Sequence, residues 1–444
     1  MDDEVARVLG AAWRDRRPWD VLRALAEFED RLGGHPGEER AATLLAETFE
    51  TIGLRAVETQ SFAIPEWTRG ETSLLVHAYD RDRERTFEAV SLPYCPEATV
   101  EGPLVDVGHG TPAELDARDI ADSVVVATAG TPPRADRYHH RIEKIAHAAA
   151  AGAEGFVFAN HRPGQLPPTG SVRAGDTLPA VGVSYETGEW LRDYAEEGAA
   201  ARVNVTASVE PGSSQNVLGE TGPDTDEAVL VLAHYDAHDI AEGVLDNGCG
   251  VAVLVAVASM LTDLELDRRV RFGATGAEEL GLQGSETLAA TSDTGDIHAV
   301  VNLDGAGRDR TLKALTHGST ALRSLAESVT GDVGHPMTVD TRPHPYSDHW
   351  PFVQRGVPSL QLHSHADDGD GGDRWDRGWT HTRADTLDKA DRRTIREHAM
   401  LAALMVREIA ASDVARLDTD ALREQFADAE DAMRTAGTWP DSWA

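Results

Sequence analysis

Val229-Leu-Val-Leu-Ala-His-Tyr-Asp236 decides how the chain is read. The apolar run predicts a buried strand over 228–233, and a strand apolar on both faces belongs inside a largely parallel sheet. It stops abruptly on a histidine and a carboxylate. Downstream, Val270–Thr275, Ala299–Leu303 and Ser359–Leu362 read as further strands, with helices at Cys249–Leu261, near Ala321–Val329 and over Thr394–Ala411. This alternation predicts an α/β fold: a three-layer α/β/α sandwich around a mostly parallel mixed central sheet. Ligands of such sheets sit just beyond the carboxyl ends of the strands, so His234 stands where chemistry is expected.

Other polar segments fall in similar places. Asp246-Asn247-Gly248 precedes the apolar helix; Glu278-Glu279 follows a strand; Asp304 ends Val300-Val-Asn-Leu303; and His381 lies in Trp379-Thr-His-Thr-Arg-Ala-Asp385. Alone, Asp246 reads equally as an Asx-turn or helix cap. Glu278 and Glu279 read equally as the acidic first turn of a helix. Pooled, two imidazoles and four carboxylates suit zinc or a similar divalent ion, and a shared carboxylate suits a two-metal hydrolase. Residues two apart on an extended chain face the same way, so Asp236 is placed to orient His234. His349, His363 and His365 are rival ligands by residue type. Tyr346 reads either as an oxyanion donor or as a core tyrosine.

At 444 residues the chain exceeds one ordinary domain. We read 1–72 as the N-terminal part of the α/β domain, 73–205 as an inserted β-rich module with one or two helices, 206–415 as the main part of the α/β domain, and 416–444 as an acidic helical tail. In the N-terminal part, Leu45, Phe49 and Ile52 form a helical stripe stopped by Gly53. Residues 363–378 read as a Gly/Asp-rich surface loop.

The formal net charge is −35, and Lys144, Lys313 and Lys389 are the only lysines among 41 basic residues. Such a surface repels nucleic acid and anionic membrane, so neither is an expected partner. An arginine-favouring genome would explain the lysine loss. Acidity and lysine loss together point to a protein adapted to molar salt. Cys95 and Cys249 form no disulfide framework. An acidic start and no stretch approaching about 18 apolar residues lead us to expect a soluble, cytoplasmic protein.

The motifs, in order, resemble the di-zinc aminopeptidase family. They are His-Tyr-Asp (234–236), Asp-Asn-Gly-Cys-Gly (246–250), Glu-Glu-Leu-Gly-Leu-Gln-Gly-Ser (278–285), Asn-Leu-Asp (302–304), Ser-Asp-His-Trp-Pro-Phe (347–352) with Gly-Val-Pro (356–358), and His-Thr-Arg-Ala-Asp-Thr (381–386). The likeness covers roughly 1–70 and 206–412, and the insert resembles a protease-associated domain. The resemblance implies that Asp246 bridges two zinc ions, with His234 and Asp304 completing one site and Glu279 and His381 the other. Cobalt or manganese are possible substitutes. It also implies that Glu278 is the general base, that Asp236 orients His234, and that the substrates are peptides cleaved at their N-terminus. One departure is visible: Gly243-Val-Leu stands before Asp246 where the family more often has Gly-Ala, a matter of local packing.

Rival activities on the same scaffold are those of a glutamate carboxypeptidase, a one-zinc glutaminyl cyclase, or a non-catalytic binding protein of the transferrin-receptor kind. The full ligand set disfavours the last two. The insert is expected to be a separate lid whose deletion alters peptide-length selectivity more than metal content.

Overall fold

A computed structural model describes residues 3–78, 83–135, 137–173, 177–366 and 378–443. Most of the loop expected at 363–378 lies outside them. The sheet is mixed, as expected. Ala228–His234 is flanked in parallel by Arg269–Thr275 and Ile297–Asn302, and Ile297–Asn302 pairs in parallel with Ser359–His365. Two strands escaped the sequence reading, Thr311–Leu315 and Met337–Asp340. They extend this edge, the first antiparallel to Ser359–His365.

Helices cover both faces. On one, Pro36–Ile52, Cys249–Leu261, Thr320–Val333 and Arg392–Ala411 pack into a common core with the sheet. On the other, Gln283–Thr291 and Trp350–Val353 close a smaller core around Leu230, Leu232 and Val300. Pro36–Ile52 ends where Gly53 takes φ +94° as a left-handed cap. Val244–Leu261 corrects one expectation, because it is long and apolar enough to cross a membrane; its 18-residue window is 89% buried within the fold. Its helical part, Cys249–Leu261, is a core helix packed among other helices and the sheet.

The insert contains the short strands Ala98–Asp106, Val124–Thr128, Gly155–Ala159 and Ala180–Val183 around their own core. Three helices, not one or two, accompany them: Pro112–Asp116, Arg141–Ala150 and Tyr185–Glu196. Short length hid the first; an exposed, strongly acidic surface hid the last. The proposed borders at 72/73 and 205/206 lie inside two long strands, Arg55–Ala78 and Ala200–Thr221. These pair antiparallel almost end to end, from Arg55↔Glu220 to His77↔Ala200. The far half of Ala200–Thr221 pairs with Ala98–Asp106 of the insert, and its near half with Arg269–Thr275 of the main sheet.

Helical segments at Thr419–Glu424 and Glu430–Thr435 follow the last long helix. Leu422, Phe426, Met433, Trp439 and Trp443 bury themselves against Leu282, Trp350 and Val353. This segment is a packed wall of the fold.

Candidate metal centre

Three neighbouring parallel strands deliver their loops to one place. His234 is the last residue of Ala228–His234, Glu278 and Glu279 follow Arg269–Thr275, and Asp304 follows Ile297–Asn302. Asp246 enters from the turn Val244–Gly248, before the apolar helix. Gly243 opens that turn at φ +57°, where an added Cβ would stand 2.2 Å from that of Ala237, so only glycine fits. Val244 and Leu245 are both buried, which explains the departure there as packing. His381 arrives from the loop before the last long helix.

All seven residues singled out in the sequence gather here. Asp246 lies between two groups: its Oδ1 is 3.4 Å from His234 Nε2, and its Oδ2 is 3.3 Å from His381 Nε2. His234, Glu278 and Asp304 bring one donor atom each within 4.8 Å of one another. His238, Glu279 and His381 form a second such group. His238 was missed, although its spacing of four from His234 in His-Tyr-Asp-Ala-His was there to read. The rivals fall elsewhere. His349 stacks on His317, with Nε2 2.8 Å from the His344 carbonyl, and His365 bonds Thr338. His363 lines the cleft but joins neither group.

Supporting carboxylates hold the loops. Asp236 Oδ1 is 3.3 Å from His234 Nδ1, and its two oxygens also accept the backbone N–H groups of Glu278 and Glu279 at 3.1 and 3.0 Å. Asp385 accepts those of Leu245 and Asp246 at 2.6 and 3.0 Å, fixing the bridging turn. Ser347 donates to Asp304 Oδ2 at 2.6 Å. The insert takes part as well: Thr169 donates its N–H to the His381 carbonyl at 2.8 Å, and its own carbonyl lies 3.2 Å from His381 Nδ1.

Buried charge dominates the electrostatics. Burial lifts Glu278 well above the ordinary carboxylate range, with Glu279, Asp348 and Asp304 adding to the rise. Burial and Asp246 push Glu279 up to about 7. Asp246 goes the other way: against burial, His234, His381 and Arg308 hold it well below its usual value. Such a concentration of buried carboxylates calls for cations. Among the described residues, both nitrogens of His238 and Glu279 Oε1 have no hydrogen-bond partner. Buried donors of nitrogen and oxygen type, orphaned and facing one another, fit a bound divalent ion such as zinc.

The centre opens on a cleft of about 430 Å³. Arg137, Tyr138, His140, Arg141, Ser171 and Arg173 of the insert line one side; Arg308, Lys313, Leu315 and Tyr346 line another; and Phe426 and Met433 close the end. Tyr346 is neither free for an oxyanion nor merely core. It donates to Glu143 of the insert at 2.7 Å and stacks on His140.

Comparison with known proteins agrees with this geometry. Residues 216–406 match peptidase family M28, and residues 100–191 match the PA domain. Aminopeptidase YwaD of Bacillus subtilis is 29% identical over 278 residues, 62% of this chain and 57% of that protein. Leucine aminopeptidase 2 of Arthroderma otae is 29% identical over 57% of this chain and 56% of its own length. The chain thus spans little more than half the length of these curated relatives. Among solved structures, an aminopeptidase from Aneurinibacillus sp. strain AM-1 superposes with a TM-score of 0.66 at 25% identity, over 91% of this chain and 95% of that one. A peptidase M28 precursor from Shewanella amazonensis SB2B reaches a TM-score of 0.76 at 21% identity, over 93% and 97%. The chain is thus similar to peptidase family M28 through residues 216–406 and to the PA domain through residues 100–191.

Proposed function

We propose that the protein is a metal-dependent aminopeptidase that removes N-terminal residues from short peptides, using two zinc ions. One observation carries this reading: Asp246 stands between the two donor groups, one oxygen facing His234 and the other His381, in a cleft of about 430 Å³ that suits a few residues of extended chain. The named relatives are aminopeptidases.

His234, Asp304 and Asp246 would hold one ion, and Glu279, His381 and Asp246 the other. When bound, zinc polarises a carbonyl and lowers the pKa of water toward about 7. Glu278 is the general base. It takes the proton of the attacking water and returns it to the leaving amine, completing hydrolysis without net proton change. Its carboxylate is held for this task because Asp236 grips the Glu278 and Glu279 N–H groups. Asp236 also keeps His234 oriented. The insert and the C-terminal wall exclude bulk water and folded proteins.

The decisive assay compares aminoacyl p-nitroanilides with N-blocked peptides, alongside zinc analysis before and after chelation. Hydrolysis of free-amine substrates only, lost with zinc and restored by it, is expected. Cleavage of N-blocked substrates at equal rate would defeat the reading.

A second reading, a carboxypeptidase on the same scaffold, draws on the cations lining the cleft. Arg308 and Lys313 stand on its wall. Such cations suit a free C-terminal carboxylate. Loss of activity on C-terminally amidated dipeptides would favour it.

The −35 charge further supports a protein that works in molar salt, and the sparse cysteines suit a cytoplasmic setting. Cell fractionation tests the latter.

A further inference from the structure

His238 has no task in the mechanism above, yet it is only 4% exposed and lies in the centre. Its ring meets that of His381 edge-on, with centroids 4.6 Å apart at 72°. Its Nε2 is 2.9 Å from Glu279 Oε2, off the line a hydrogen bond needs, so among the described residues neither ring nitrogen has a hydrogen-bond partner. Leaving a buried polar group unsatisfied costs about 1–3 kcal/mol, and a native protein that keeps one calls for an explanation.

The distances supply it. Donors on one tetrahedral ion, at about 2.0–2.1 Å each, lie about 3.3 Å from one another. His381 Nε2 is 3.3 Å from Asp246 Oδ2 and 3.5 Å from Glu279 Oε2, and His238 Nε2 is 2.9 Å from that same Glu279 oxygen. These three distances lie within a few tenths of an ångström of that value, and His238, Glu279 and His381 each offer a donor within 4.8 Å of the other two.

We propose that His238 is a direct ligand of the ion held by Glu279 and His381, which makes the two halves of the centre unequal. The inference rests on the two-ion reading above. One half then offers two imidazoles and two carboxylates; the other offers His234 with Asp246 and Asp304. Imidazole favours zinc, cobalt, nickel and copper, whereas carboxylates suit manganese and magnesium. Four protein donors also close a tetrahedral shell, the mark of a resident ion, while three leave a position open. The His238 half therefore keeps a permanent zinc. The His234 half exchanges its ion and accepts manganese.

The test strips the full chain with a chelator and follows re-uptake of zinc by calorimetry and of Co²⁺ by visible absorption. The wild type should fill in two steps, the first saturating a four-coordinate cobalt spectrum. In His238→Ala the tight step should weaken about 100-fold or more, beyond the 10–100-fold typical of losing a group behind a ligand. The weak step should stay in place, and circular dichroism should report an unchanged fold. His238→Gln separates a ligand from a mere hydrogen-bonding neighbour of Glu279, because glutamine restores only the latter. Two wild-type-like steps and an unaltered cobalt spectrum in His238→Ala would overturn the proposal, as would full rescue by glutamine. If the substitutions unfold the chain, the wild-type cobalt form decides: three sets of hyperfine-shifted imidazole protons support the proposal and two refute it. A wild type that took up only one ion would sink the two-ion reading, independently of any variant.

Discussion

Glu38 Oε1 accepts the backbone N–H of Ala277 at 2.9 Å, across 239 residues of sequence. The same oxygen accepts the Ser214 hydroxyl at 2.7 Å, while Oε2 takes the Gly34 N–H at 2.7 Å. With Asp236 holding the next two amides, three consecutive N–H groups, 277 to 279, are captured by two buried carboxylates. Ala277 itself sits at φ +51°, a conformation alanine rarely adopts. The N-terminal turn of the helix Pro36–Ile52 thus pins the turn that leads into Glu278.

Replacing Glu38 by glutamine retains one acceptor but turns an NH₂ toward a neighbouring donor. We expect a stability loss of about 1–3 kcal/mol and a lower kcat with zinc content preserved. Denaturant melts beside metal analysis check this; loss of zinc in a folded variant would contradict it.

Glu278→Gln and Glu279→Gln should differ. Losing general-base function typically costs about 10²–10⁴ in rate, so the first should lose kcat and keep both ions. The second removes ligand charge and should lower metal stoichiometry too. The reverse pattern would mean that the two roles are exchanged.

His35 supplies a pH signature away from the centre. Its Nδ1 bonds Asp30 at 2.9 Å and its Nε2 lies 2.8 Å from the Trp67 carbonyl. The hydrogen bond to Asp30 raises its pKa to about 9 against burial. A raised folded-state value stabilises fully below the unfolded pKa near 6.5, and the contribution disappears as pH climbs through 9. Asp30→Asn keeps the positive-φ position tolerable. It should cost about 1 kcal/mol at pH 6, discounted because Asp30 is half exposed, and almost nothing at pH 10. Equal losses in Tm at both values would exclude the ion pair as their source.

Molar potassium or sodium chloride should be needed for full activity and stability, because only a Debye length near 3 Å screens the self-repulsion of a −35 chain. An unchanged Tm and full activity in 50 mM salt would contradict that expectation.

What was legible in the sequence divides along physical lines. The strands ending at His234 and Thr275 were plain because both faces are buried, and Gly53 marked its helix end for lack of a Cβ. The ligand loops could be placed because they sit at strand ends. His238 was not, since its spacing of four from His234 could be read but did not tell where an irregular loop would turn the side chain. Met337–Asp340 was missed because an edge strand with no fully buried residue carries little apolar pattern, and Thr311–Leu315 because Lys313 interrupts a run of only five residues. Nor could the sequence foretell that Thr169 would hold His381 on both its carbonyl and its ring. That contact revises the expectation for the insert: deleting it should loosen a metal ligand as well as alter selectivity.

The antiparallel pair Arg55–Ala78 and Ala200–Thr221 carries this furthest. A lid that swings needs a hinge, a few residues free to change φ and ψ, and here both connections run through paired backbone with register kept from Phe62↔Ser214 to Arg69↔Ala207. Moving the insert away as a rigid body would tear that ladder. The aperture is therefore a fixed gauge: on the aminopeptidase reading proposed above, peptides would thread into it as extended chain, their length measured by architecture and not by closure.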